Sequence, residues 1–149
     1  MRIMIGSDHA GYELKEKLRN LLAESGHPVS DFGSESADPV DYPDIAARVA
    51  RSVVGTQGAM GILVCGTGTG MAIAANKIPG VRAAVCSSVP VAHAARSHND
   101  ANVLALGARI ISEELAAVIV RCFLETPFEG GRHARRVEKI RALESDGQR

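Results

Sequence analysis

Hydrophobic periods of strand and helix type alternate along the 149-residue chain, and this alternation limits the fold more than any other feature. The clearest strand is Gly61-Ile62-Leu63-Val64-Cys65, apolar on both faces, as in a central strand of a parallel sheet. Residues 2–6, 29–32, 81–86 and 103–106 read as four further strands. Helical spacing fills the gaps. Leu14, Leu18, Leu21 and Leu22 form one stripe that stops at Gly26, and residues 33–40 form a loop. Ile45, Val49 and Val53 form the next stripe, after an Asp41 cap with Pro43 in the first turn, and Gly55 ends it. Five strands separated by helices predict an α/β sandwich around a mostly parallel five-stranded sheet, folded as one domain over residues 1–149.

The later helices carry their own signals. One covers residues 71–77. Ser88 caps another that Pro90 opens. Ser112-Glu113-Glu114 starts a third, with acidic residues at its positive end and a stripe of Leu115, Val118, Ile119, Cys122 and Phe123. The last runs over residues 131–145 with Val137, Ile140 and Leu143 inward, and the polar tail 146–149 is expected to fray. Two Tyr, three Phe and no Trp leave Ala, Val, Ile and Leu to build the core.

Seventeen basic and 17 acidic side chains cancel, so no overall field draws the chain to nucleic acid or an anionic membrane. The apolar run at the N-terminus is too short for a secretory signal, and the longest apolar stretch, 115–120, is far from spanning a bilayer. Cys65, Cys86 and Cys122 lie far apart without CxxC spacing, which points to a cytoplasmic protein without a disulfide framework or zinc cluster.

Ligands of open α/β sheets bind outside the carboxyl ends of the strands, and the unusual residues gather in such loops. Cys65-Gly66-Thr67-Gly68-Thr69-Gly70 runs from a strand into a helix, a glycine nest that turns backbone N–H groups toward an anion. A dinucleotide fingerprint would need glycine where Met71 stands, and no Gly-Lys-Ser/Thr follows for a P-loop. What remains is an oxyanion- or phosphate-cradling loop with Cys65 at its mouth, where negative charge on sulfur is favoured. Cys86 and Cys122 read as small buried hydrophobes.

Asp8-His9 follows the first strand. Asp8 either caps the next helix or, since His98-Asn99-Asp100 is expected at the same sheet end, shares proton transfer with His98. A metal held by His9, His98 and aspartates is the rival, without HExxH-type spacing to support it. Arg132 and Arg136 share a helix face near an N-terminus, where an anion between them resolves their conflict with the macrodipole. Arg109 is a third candidate clamp.

Five ordered motifs, Gly6-Ser7-Asp8-His9-Ala10-Gly11, Cys65 to Gly70, Ala74-Ala75-Asn76-Lys77, His98-Asn99-Asp100-Ala101-Asn102 and Glu129-Gly130-Gly131-Arg132-His133, resemble those of the type B ribose-5-phosphate isomerases. That wider family includes galactose-6-phosphate isomerase subunits. The resemblance covers almost the whole chain. It implies a Rossmann-like three-layer α/β/α sandwich and an obligate dimer, or dimer of dimers, with active sites at the subunit interface. It also implies a sugar-phosphate substrate and no metal or organic cofactor. Carried onto this chain, it makes Cys65 the base that moves a proton between C1 and C2. Thr67 and the amides of Gly66, Gly68 and Gly70 stabilise the enediolate. His98 with Asp8 opens the furanose ring, and Asn99 contacts the sugar or oxyanion. His9, Arg109, Arg132 and Arg136 hold the phosphate. One branch of the family carries a glutamate base where Met71 stands, so proton transfer here falls to Cys65. The alternatives are a galactose-6-phosphate or allose-6-phosphate isomerase, a non-catalytic sugar-phosphate-binding protein and, with no CxxC partner for Cys65, a thiol redox protein.

Overall fold

The computed structural model describes residues 1–146. Its elements are β1 (Ile3–Ser7), α1 (Tyr12–Glu24), β2 (Val29–Asp31), α2 (Tyr42–Gly55), β3 (Met60–Cys65), α3 (Thr69–Ala75), β4 (Ala83–Val85), α4 (Val89–Ser97), β5 (Val103–Gly107), α5 (Glu113–Glu125) and α6 (Arg132–Asp146). The five strands pair in parallel in the order β2-β1-β3-β5-β4, a Rossmann-like α/β arrangement. The chain crosses from β1 outward to β2 and then back to β3, so the crevice of the topological switch opens between β1 and β3.

Period-two alternation divides the side chains of the central strands between two cores. Ile3, Ile5, Ile62, Val64, Leu104 and Leu106 face α1, α4 and α5. Met4, Leu63, Cys65, Val103 and Ala105 face α2 and α3. Each large aliphatic side chain buried this way contributes about 1.5–3 kcal/mol against the entropy of ordering the chain. Ser88 and Ser112 cap as expected, their hydroxyls accepting the N–H groups of Val91 and Leu115. Asp41 occupies the N-cap of α2 but makes no side-chain capping bond.

Several expectations shift. β4 is three residues long instead of six, and α3 starts two residues early, at Thr69. The buried stripe of α5 is Ala116, Ile119, Val120 and Phe123; Leu115 and Cys122 are half-buried and Val118 is exposed, because the helix turns its Ala116–Val120 face toward the core. On α6 only His133 and Val137 are buried, while Ile140 and Leu143 are exposed. Asp146 closes that helix, and the rest of the tail expected to fray, 147–149, lies outside the described residues. No helix among the described residues is long and apolar enough to cross a membrane.

Candidate active site

The carboxyl ends of β1, β3 and β5 are level: Ser7 pairs with Val64, and Cys65 with Gly107. Three loops therefore leave the sheet side by side. Cys65 is buried, and the Gly68 N–H donates to its Sγ at 3.1 Å. Gly68 has φ +84°, a left-handed conformation that folds the loop back over the cysteine and starts α3. The Thr69 N–H donates to the Thr67 hydroxyl at 3.3 Å. Arg109 is tied to the same loop: its backbone N–H donates to the Gly66 carbonyl at 3.0 Å, and its guanidinium lies against Gly66. Met71 is fully buried behind the nest among apolar side chains and is no rival base.

Asp8 emerges beside them. Its Oδ1 accepts the Gly11 N–H at 3.0 Å, so the capping reading of Asp8 holds in modified form: it closes the turn before α1, whose N-cap is Gly11. His9 accepts the Val40 N–H through Nδ1 at 3.3 Å, which leaves Nε2 as the donor of the neutral ring. Cys65, Thr67, the nest amides of Gly66, Gly68 and Gly70, Asp8, His9 and Arg109 thus form one group at the carboxyl edge.

His98, Asn99, Arg132 and Arg136 do not join it. His98 is the C-cap of α4, five residues before β5 begins, and in an all-parallel sheet a loop entering a strand lies at the amino edge. The length of β5, about 13 Å at ~3.3 Å per residue, separates the two edges. The expectation that Asp8 and His98 meet at one sheet end therefore fails within a single chain. Glu129 joins the amino-edge group by donating its N–H to the Ser97 carbonyl at 3.0 Å, and α6 starts beside it with Arg132 and Arg136 exposed on one face. Five clefts of about 60 to 540 Å³ are lined by residues other than Cys65, Thr67, His98 and the three arginines.

The His98 and His133 rings stack at 4.3 Å between centroids, tilted by 11°. His133 Nε2 lies 3.5 Å from a Glu129 carboxylate oxygen. Burial, the His98 ring and the Arg132 and Arg136 guanidinium groups hold His133 below the usual histidine range, against the pull of Glu129. Donor atoms of His98, Glu129 and His133 lie within 4.8 Å of one another. Even so, the in-plane lone pairs of two nearly parallel rings do not converge on one ion, which disfavours a metal there. Away from the site, burial, with Cys122 nearby, pushes the Cys86 thiol up to about 11.

Two neighbours of the nest escaped the sequence reading. Gly107 ends β5 with the Thr67 backbone pressed against it, and a glycine at a strand end is the signal for such an approach. The Tyr42 ring lies against Gly70, and no local pattern announces that contact.

Residues 3–140 match the family model described as Ribose/Galactose Isomerase. The chain is 48% identical over 143 residues to ribose-5-phosphate isomerase B of Escherichia coli K12, with 96% of each chain covered. The solved ribose-5-phosphate isomerase B of Clostridium thermocellum superposes with a TM-score of 0.96 at 49% identity, covering 98% of this chain and 99% of that one. The Mycoplasma genitalium ribose-5-phosphate isomerase B, solved with bound ribulose-5-phosphate, gives 0.93 at 42% identity, with 97% and 96% covered. With its switch-point cysteine nest, parallel sheet and near-complete coverage, the chain belongs to the ribose/galactose isomerase family.

Proposed function

We propose that the chain interconverts ribose 5-phosphate and ribulose 5-phosphate through an enediolate, acting in the cytoplasm as a homodimer without metal or organic cofactor. The observation that carries this reading is a buried Cys65 sulfur at the mouth of a backbone N–H nest. Cys65 takes the C2 proton and returns it to C1, while the O2 hydroxyl proton passes to O1. Charge developing on the two oxygens is met by the Thr67 hydroxyl and by the nest amides other than those of Gly68 and Thr69, which serve Cys65 and Thr67, and a single such donor is worth about 3 kcal/mol of barrier. The phosphate takes no part in the chemistry; gripping it places the reacting carbons against sulfur. Ribulose-5-phosphate in the Mycoplasma genitalium neighbour supports a five-carbon substrate over the six-carbon alternatives. Three free cysteines fit a reducing compartment.

The dimer is supported by the separation of the two groups. A two-fold axis that brings the amino edge of one copy to the carboxyl edge of the other assembles two complete sites, each with Cys65 and Asp8 from one subunit and His98, Arg132 and Arg136 from its partner copy. Turnover of ribose 5-phosphate in the presence of EDTA tests the activity. Loss of turnover restored by zinc or manganese would refute the cofactor-free reading. Co-expression of Cys65→Ala and His98→Ala chains tests the sharing. Random pairing makes half the dimers mixed, each with one intact site, so about a quarter of wild-type activity returns. No recovery in isolated mixed dimers would refute a shared site.

A further inference from the structure

Among the described residues Asp100 alone is a non-glycine with positive φ, at +46°. Asp and Asn tolerate this region better than other residues with a Cβ, yet it still strains the backbone, and such strain persists only where the surroundings enforce it. Here two arginines enforce it. The Asp100 carboxylate accepts from Arg96 Nη1 at 3.0 Å and from Arg82 Nη2 at 3.1 Å. Arg82 Nε reaches the carbonyls of Asp100 at 2.9 Å and of Asn99 at 3.2 Å. Arg96 also donates to the Ala101 carbonyl, and its guanidinium lies over the Phe123 ring at 5.7 Å. Arg96 is buried, so the anchor does not swing with solvent. The bracket thus ties the start of β4, the end of α4 and the core side of α5 to the two residues immediately after His98.

We propose that Asp100, clamped by Arg82 and Arg96, is a positioning residue that holds the His98–Asn99 turn in its working geometry. The proposal rests on the reading above that His98 and Asn99 face the substrate. Both Asp100 carboxylate oxygens are taken by arginines, and its backbone N–H donates to the Arg96 carbonyl at 3.2 Å. Loosening the turn displaces the proton-transferring imidazole directly and reaches the phosphate arginines only through the His133 stack, so the loss belongs in kcat more than in KM.

Asp100→Gly keeps the left-handed backbone and removes the carboxylate. In the purified dimer kcat for ribose 5-phosphate is expected to fall on the order of ten- to a hundredfold, as for a misplacement of about 1 Å, with KM changed by less than about threefold. The control is a chain already carrying His98→Ala and Asn99→Ala. There Asp100→Gly is expected to cost less than about twofold more, because the groups it positions are gone. A merely structural role lowers the melting temperature and acts equally in both backgrounds. Wild-type kcat in Asp100→Gly, or the same fractional loss in both backgrounds, overturns the proposal. If Asp100→Gly fails to fold, Asp100→Asn, which tolerates the same φ and keeps one acceptor, is read by the same two criteria. Full turnover in the His98→Ala, Asn99→Ala chain would refute the placement of those residues on the substrate. Full turnover in Asp100→Gly beside an impaired His98→Ala, Asn99→Ala chain would refute the bracket alone.

Discussion

Gly107→Ala tests how tightly the cysteine loop is seated. A Cβ at Gly107 would lie 2.7 Å from the Thr67 carbonyl oxygen, 2.8 Å from its carbon and 2.9 Å from its Cα. Real Cβ contacts essentially never fall under 3.0 Å and become ordinary at 3.4 Å, so the loop must retreat by 0.3 to 0.7 Å. The obstacle is backbone on both sides, and no rotamer relieves it. Overpacking of this kind costs about 1–3 kcal/mol of stability. The retreat also carries Thr67 and the nest amides away from the enediolate, a displacement worth roughly ten- to a hundredfold in kcat. Gly55→Ala is the control, because a Cβ there, at the end of α2 and away from the loop, meets nothing within 4 Å. It is expected to cost less than about 0.5 kcal/mol. Urea unfolding gives the stability difference, and steady-state turnover of ribose 5-phosphate gives the kinetic one. If Gly107→Ala matched Gly55→Ala in both measurements, the close approach would have no bearing on catalysis.

Cys65→Ala should fold, since it removes only a sulfur from a small buried site, and lose on the order of 10²–10⁴ in kcat; iodoacetamide should inactivate the wild type, with substrate protecting. Arg132→Ala or Arg136→Ala should raise KM for ribose 5-phosphate about ten- to a hundredfold, the worth of a charged hydrogen bond, while the slow isomerisation of free ribose hardly changes. Equal loss on both sugars would mean that the arginines support the fold or the dimer. For Asp31, burial raises the carboxyl pKa, but the Lys15 ammonium, the Gly33 N–H and Arg19 outweigh it and lower it below 3.8. The group therefore adds stability above pH 3.8 that disappears as the pH falls through the folded value. Asp31→Asn should unfold more easily at neutral pH and converge with the wild type in acid, and a constant gap across that range in acid and urea melts would refute the linkage.

The layered α/β fold and the carboxyl-edge group were legible in the sequence because each depends on short-range order. A doubly apolar run such as 61–65 has to lie inside a sheet, and glycines directly after it have to form a loop at that strand's exit. Strand and helix identities came through for the same reason, while the ends of β4 and the inward face of α5 depended on neighbours from distant parts of the chain. The burial of Met71 likewise follows from packing against α2 and could not be read from its own segment.

The placement of His98 was partly available, since it precedes β5 and so belongs to the amino edge of any parallel sheet. The chain by itself determined which residues can do the chemistry: a thiol, an imidazole, a nest of amides and a set of guanidinium groups. Only the tertiary structure decided their grouping. Parallel strands send every exit loop to one edge and every entry loop to the other, so one chain keeps the Cys65 group and the His98 group a strand's length apart.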